Sequence, residues 1–153
     1  MEYSKSLAYQ WTLYLDSCNY LYQFDTEKGI IIIPDVKVNS TSDAVLIYIG
    51  IGESDFELRC IFPQKTATAF RAQITQLLMR INYTITFGNF YMDYSDGEVG
   101  YKYSADFEGS VASVQMLHNA MSFATSLADK WGTAVMEVSS GKAAPMDAFS
   151  KYN

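Results

Sequence analysis

The sequence predicts an α+β fold, in which helices pack on an antiparallel sheet of five to six strands. Apolar residues recur every three or four positions in three segments, which is the period of an amphipathic helix. The segments between these helices are short, rich in β-branched and aromatic residues, and joined by a few turn-forming residues. Strands joined by such short turns pair antiparallel, so the pattern favours α+β over a doubly wound parallel sheet.

The first third of the chain is predicted to form a helix and four strands. Leu7, Trp11 and Cys18 recur at helical spacing, which indicates a helix over residues 4–18. Residues 35–43 are polar and are predicted to form a loop, and Pro63 ends the last strand of this part. The predicted strands are 20–25, 30–33, 44–51 and 56–62.

Two further helices are predicted in the rest of the chain. One extends from Thr66, whose hydroxyl can cap it, to Asn82. The other begins after Ser110, and its apolar positions alternate spacings of three and four, as in a long helix on a sheet or in a coiled-coil seam. A helix on the sheet is favoured because Gly132 interrupts the seam and charges at flanking positions are scarce.

No internal repeat or linker divides the sequence. Residues 1–140 are therefore predicted to form a single domain. Residues 141–153 begin with Gly141 and contain Pro145, and they are predicted to form a loose C-terminal tail.

A hairpin is predicted between the last two helices. Apolar and polar residues alternate strictly from Glu98 to Phe107, which indicates a strand with one buried face. The Asp96-Gly97 pair before it favours a two-residue type I′ turn, because both positions of that turn need a positive φ. A strand glycine commonly marks a bulge, so a bulge is predicted at Gly88-Asn89. The predicted cross-strand pairs are Tyr94 with Val99, Met92 with Tyr101, Phe90 with Tyr103, Phe87 with Ala105, and Ile85 with Phe107.

The residue types do not combine into a recognisable catalytic or metal-binding pattern, so we predict no enzyme activity, no cofactor and no metal. His118 is the only histidine, and no second histidine or cysteine lies three or four positions from it. Cys18 and Cys60 are too few for a four-thiolate zinc site and are interpreted as buried small apolar residues. Asp93 and its acidic neighbours lack the spacing of a calcium loop and are interpreted as turn residues.

Charge and hydropathy exclude further classes. The chain has 17 acidic and 11 basic residues, and its net charge of −6 argues against binding to nucleic acid or to an anionic membrane. The longest apolar stretches, 30–33 and 44–51, are shorter than the roughly 20 residues of a membrane helix. Residues 1–5 lack the pattern of a secretory signal, so we predict a cytoplasmic protein.

The second helix is predicted to carry the surface of a homodimer or of a partner protein. Its apolar stripe is wider than packing on one sheet face requires, and basic residues flank it. Residues 93–108 carry five acidic residues and one basic residue. These opposite charges are either solvated faces or complementary patches that meet across an interface. The residues predicted for this surface are Phe70, Arg71, Ile74, Leu78 and Arg80.

The segment from Asn82 to Phe107 resembles the central signature of YbjN-domain proteins. The residues that carry the resemblance are Asn82, Gly88, Phe90, Asp96 and Gly97, followed by Glu98-Val99. The resemblance extends from about Leu58 to Ser140 and implies a type III secretion chaperone-like fold in the order α-β-β-β-α-β-β-α. Secretion chaperones are small, acidic, non-enzymatic binders of partner polypeptides and are commonly dimers, and the YbjN group is labelled as sensory transduction regulators. The signature implies structural roles and no catalytic residue.

These observations together predict a non-enzymatic protein-binding or regulatory module that forms a homodimer. The alternative is a small-molecule-sensing domain that binds a ligand between the sheet and the long C-terminal helix. An enzyme is the least favoured of the three classes.

Overall fold

The computed structural model describes residues 2–153, and Met1 lies outside the described residues. A short 3-10 turn at Thr68–Phe70 precedes the second helix. The helices are α1 (Lys5–Ser17), α2 (Arg71–Thr84), α3 (Val114–Ser139) and α4 (Pro145–Tyr152). The strands are β1 (Gln23–Asp25), β2 (Ile30–Val36), β3 (Val45–Ile51), β4 (Asp55–Ile61), β5 (Asn89–Met92) and β6 (Val99–Asp106).

The strands form one antiparallel sheet of six in the order β1-β2-β3-β4-β6-β5, which confirms the predicted α+β class. Alternate side chains of β3 and β4, such as Ile47, Ile49 and Leu58, are completely buried. The helices cover this face, and their apolar stripes complete a single core with it. The short β1 lies within the predicted strand 20–25 and is additional only to the order that the family resemblance implies, whereas the C-terminal α4 was not predicted. The chaperone-like label for the fold stays a prediction.

The long helix α3 packs on the sheet as predicted, and Gly132 does not interrupt it. The helix is 26 residues long and begins after Ser113, whose side-chain oxygen caps it. A Cβ at Gly132 would collide with the side chain of Ser40. The glycine thus makes room for the loop between β2 and β3, and Ser40 Oγ donates to the carbonyl of Ala128 at 2.8 Å.

The prediction of a loose tail over residues 141–153 is wrong, because this segment forms α4 and packs on the core. Gly141 adopts a φ of +73°, which reverses the chain after α3, and Pro145 occupies the first turn of the new helix. Phe149 stacks on Trp131 with ring centroids 5.5 Å apart, and Ala148 is 1% exposed. Glycine and proline here separate two packed helices.

The hairpin between β5 and β6 exists, but its predicted register is wrong by two residues. Met92 pairs with Val99, and four residues separate Asp93 from Glu98. Gly97 has a φ of +82° and donates its N–H to the carbonyl of Asp93 at 2.7 Å. A type I′ turn needs two positive φ values, and only Gly97 in this loop has one. A slip of two residues preserves the strand period, so the predicted buried face is correct.

The predicted bulge at Gly88-Asn89 is also wrong, and the pairs that depended on it do not form. β5 begins at Asn89, and residues 85–88, which precede it, lie outside the sheet. Gly88 has a φ of +69°, which turns the chain into the strand. The Phe87 carbonyl accepts a hydrogen bond from the Tyr101 hydroxyl at 2.7 Å instead of pairing with β6.

Candidate functional site

Asn82, one of the signature residues, hydrogen-bonds to the edge strand β5 as a neighbouring strand would. It lies near the C-terminal end of α2, beside the outer edge of β5. Its side-chain oxygen accepts from the Phe90 N–H at 2.7 Å, and its side-chain nitrogen donates to the Phe90 carbonyl at 3.0 Å. One carboxamide thus satisfies both main-chain groups of Phe90, which an edge strand otherwise leaves unpaired.

The signature residues of the hairpin loop anchor it to the segment before α2. Gly97 is buried, and its carbonyl accepts from the Thr66 N–H at 2.8 Å. Lys65 forms an ion pair with Asp96, and this partner holds the pKa of the Asp96 carboxyl below its ordinary value. Thr66 does not cap α2 as predicted, because its hydroxyl is buried against that of Ser139 at 2.9 Å.

The predicted dimer surface on the second helix is mostly internal. Ile74 is 0% exposed and Leu78 is 4% exposed, because α3 and α4 cover the apolar stripe. Phe70 lies against Gly141, and Arg71 donates to the carbonyls of Thr66 and Tyr94. Arg80 alone of the five is exposed. The stripe had more apolar residues than the sheet requires because α4, predicted as a loose tail, is its second partner.

The titratable groups outside the signature include one small cluster, in which Tyr14 lies beside both His118 and Cys18. The His118 ring lies edge-to-face against that of Tyr14, and its Nδ1 is 3.3 Å from the Tyr14 hydroxyl. Burial raises the pKa of the Cys60 thiol to about 12, so this residue fits its interpretation as a small apolar side chain. Cys18 is exposed, which corrects its interpretation as buried. Among residues 2–153 no three metal-ligating side chains cluster, and none of the described helices has both the length and the hydropathy to cross a membrane.

No helix of the described residues covers the second face of the sheet. Its side chains alternate with those of the core and are half-buried, and they lie beside one another on neighbouring strands. We call this surface the open face. It comprises Ile30, Ile32, Leu46, Tyr48, Glu57, Arg59, Ile61, Tyr91 and Lys102.

A basic centre lies in the middle of the open face. The Arg59 guanidinium is 5.8 Å from the ring centroid of Tyr48 and 5.7 Å from that of Tyr91. Glu57 forms ion pairs with Arg59 and with Lys102. Burial alone raises the pKa of the Glu57 carboxyl, but the hydrogen bonds from Lys102 and Arg59 outweigh it, and the pKa lies below its ordinary value. Arg59, Lys102 and Glu57 together carry a net charge of +1, and a further carboxylate, that of Glu98, accepts a hydrogen bond from the Tyr91 hydroxyl at 2.8 Å.

The sequence analysis missed the open face, although a signal for it was present. β2 begins with four consecutive isoleucines, and β3 is apolar or glycine at every position except Tyr48. Strands with one solvated face usually alternate apolar and polar residues, whereas continuous apolar runs are typical of strands covered on both faces. Here the described residues cover one face of these strands. The sequence analysis used these runs to predict strands and to exclude a membrane helix, but not to predict how the two faces of the strands are covered.

A concave surface lies beside α3, and we call it the flank cavity. Its volume is about 420 Å³, and the apolar part of its wall includes Phe87 stacked on Phe123 at 4.9 Å. The flank cavity does not lie between α3 and the sheet. The side of α3 that faces the sheet is filled by completely buried side chains such as Leu117 and Ala124. The lining residues used below are Ile85, Phe87, Phe123, Leu127, Lys130 and Trp131.

Comparison with known proteins gives one family match. Residues 12–135, more than half of the chain, match a family model described as "Putative bacterial sensory transduction regulator". The match includes α2, the hairpin and most of α3, and it ends before α4. No curated protein matches the chain.

Proposed function

The chain belongs to the YbjN family, and from that membership we propose that it is a non-enzymatic, cytoplasmic protein-binding module that holds a partner protein on the open face of its sheet. The proposal rests on the observation that only one face of β2 and β3 is covered by the described residues. Their side chains are apolar on both faces, yet the described residues bury only one face. A contiguous apolar patch of this kind on a soluble domain marks an interaction site.

The basic centre defines the chemistry of the partner. Ile32, Tyr48, Arg59 and Lys102 occupy one row across four strands, so apolar and cationic side chains are side by side. Arg59 donates only its Nε to Glu57 among the described residues, and its side chain is 40% exposed. Its terminal nitrogens are therefore available to a carboxylate. We accordingly assign an apolar partner surface that carries an acidic residue opposite Arg59.

A role without catalysis is supported by what the signature residues do. Asn82, Asp96 and Gly97 each stabilise the hairpin or its anchor through contacts within the chain. The alternative occupant of the open face is a second copy of the chain. The homodimer stays a prediction, and since Ile74 and Leu78 are buried, it would need a surface other than the stripe of α2.

The test combines affinity capture with substitutions on the open face. Ile32→Lys places a charge in the apolar row, and Arg59→Met removes the cation while keeping an apolar stem. Val111→Lys is the control, because Val111 is 80% exposed and lies outside the open face. We expect the first variant to reduce recovery of a specific partner about tenfold or more, which corresponds to about 1.4 kcal/mol, and the control to leave it unchanged.

The position of the partner is checked by cross-linking. A photoreactive p-benzoylphenylalanine in place of Tyr48 should cross-link to the captured protein, and the same group in place of Val111 should not. Equal recovery by the Ile32→Lys variant and by the control would contradict the proposal. Adducts between two copies of the chain, with doubled mass by light scattering, would show instead that a second copy occupies the face.

A further inference from the structure

We propose that the flank cavity binds a small carboxylic acid with a flat apolar body. This site is separate from the open face, since it lies between the end of α2, the segment before β5, and α3. It also differs in place from the ligand site predicted between the sheet and α3. Its volume, about 420 Å³, is within the range of sites for small ligands.

The apolar wall of the cavity suits a planar ring. The rings of Phe87 and Phe123 are nearly parallel, at 12°, with centroids 4.9 Å apart. Phe87 is 52% exposed, so much of this aromatic surface faces solvent. Ile85 and Leu127 extend the wall and are half-buried. A flat apolar ligand would remove this surface from water and stack on the aromatic pair.

The polar groups of the cavity favour an acid. Trp131 forms part of the wall, but it is 0% exposed and its Nε1–H is closed off from a ligand oxygen, so the charged group at the cavity is Lys130. The Lys130 ammonium is 4.9 Å from the Trp131 ring centroid, and no carboxylate of the described residues lies within 4 Å of it. A ligand carboxylate in the cavity can therefore form an ion pair with Lys130.

The test uses 2-naphthoate as the probe and its uncharged analogue 2-naphthamide as the comparison. The chain has two tryptophans, so a ¹H–¹⁵N spectrum shows two indole N–H signals. Trp11 lies in the core against Phe56 and serves as the internal reference. We expect 2-naphthoate to shift the Trp131 indole signal in a saturable way, with the Trp11 signal unchanged. Binding of 2-naphthamide should be weaker, because it has no charge for Lys130.

Two pairs of variants locate the site. Ser126→Phe fills the cavity that Ser126 lines, whereas Ser122→Phe adds the same ring one turn earlier on α3, outside the lining. Lys130→Met removes the charge beside Trp131, and Lys142→Met removes an exposed charge elsewhere. We expect Ser126→Phe to abolish binding, and Lys130→Met to weaken 2-naphthoate about fivefold without affecting 2-naphthamide, as for a solvent-exposed ion pair. Both controls should bind as the wild type does.

These binding measurements test the proposed acid site independently of the open face. Absence of a Trp131 shift at about 1 mM 2-naphthoate, the weak end of specific binding, would overturn it. Saturable binding that Ser126→Phe leaves intact would also overturn it, because the probe would then occupy another surface. Equal affinities for acid and amide would refute the assignment to carboxylic acids. The Ile32→Lys variant should bind the probe normally, so failure of either proposal can be recognised separately.

Discussion

Replacing Gly97 by alanine should destabilise the protein far more than the same change at Gly109. Both glycines have a positive φ, +82° and +77°, so alanine at either site costs about 1 kcal/mol or more for the left-handed backbone alone. At Gly109 nothing lies within 4 Å of the added Cβ. At Gly97 the Cβ would meet the main chain of Thr66, including its carbonyl oxygen.

Three contributions add at Gly97. The left-handed backbone costs about 1 kcal/mol. Displacing Thr66 weakens its 2.8 Å hydrogen bond to the Gly97 carbonyl, which contributes about 1 kcal/mol. Crowding of a packed contact adds at least about 1 kcal/mol, so the total is about 3 kcal/mol, against about 1 kcal/mol at Gly109. Thr66 has little freedom to move, because it is 1% exposed and its hydroxyl pairs with that of Ser139.

Urea denaturation followed by circular dichroism measures both variants on one scale. The expected difference of about 2 kcal/mol corresponds to a lower thermal midpoint by about 4–8 °C for a chain of this size. Equal free energies of unfolding for the two variants would refute the reasoning. In that case the Gly97–Thr66 contact would have no role in stability, and only the backbone conformation would count.

Further predictions concern hydrogen bonds, pH and thiols. Asn82→Ala removes two hydrogen bonds to the edge strand and should lower the free energy of unfolding by about 2 kcal/mol. Asn89→Ala is the control, because it removes only one long hydrogen bond, of 3.3 Å, to the same strand. If it lowered the free energy of unfolding in urea as much as Asn82→Ala does, the role of Asn82 as a substitute for a neighbouring strand would be contradicted. The pKa of Asp96 is lowered by its lysine partner, so its contribution to stability is complete above the unfolded value of 3.8 and is lost as the pH falls through the lower folded value. In acid titrations Asp96→Asn should therefore lose less stability below pH 3.8 than the wild type, and parallel curves would exclude this role. At pH 8 a thiol reagent should modify the exposed Cys18 quickly. Cys60, with its pKa of about 12, should react only after denaturation. Rapid reaction of two thiols in the native state would contradict the burial of Cys60.

The errors in the sequence analysis share one physical cause, which is contact between distant segments. Gly141 and Pro145 separate α3 from the chain that follows it, but whether that chain is loose depends on what it contacts. Phe149 meets Trp131 there, and no local pattern contains that contact. The apolar excess of α2 was visible in the sequence, but its partner was assigned to a second copy instead of to α4.

The sequence by itself determined the fold class, the buried face of each strand in the hairpin, and the family. These properties depend on period and on local turn chemistry, and a slip of two residues in the hairpin does not alter them. Only the tertiary structure decided the register, because the loop length depends on how Gly97 docks against Thr66. Only the tertiary structure likewise decided which surfaces remain open, since burial of a face depends on where every other element packs. The continuous apolar runs of β2 and β3 indicated two covered faces, and the fold shows which of the two the described residues leave uncovered.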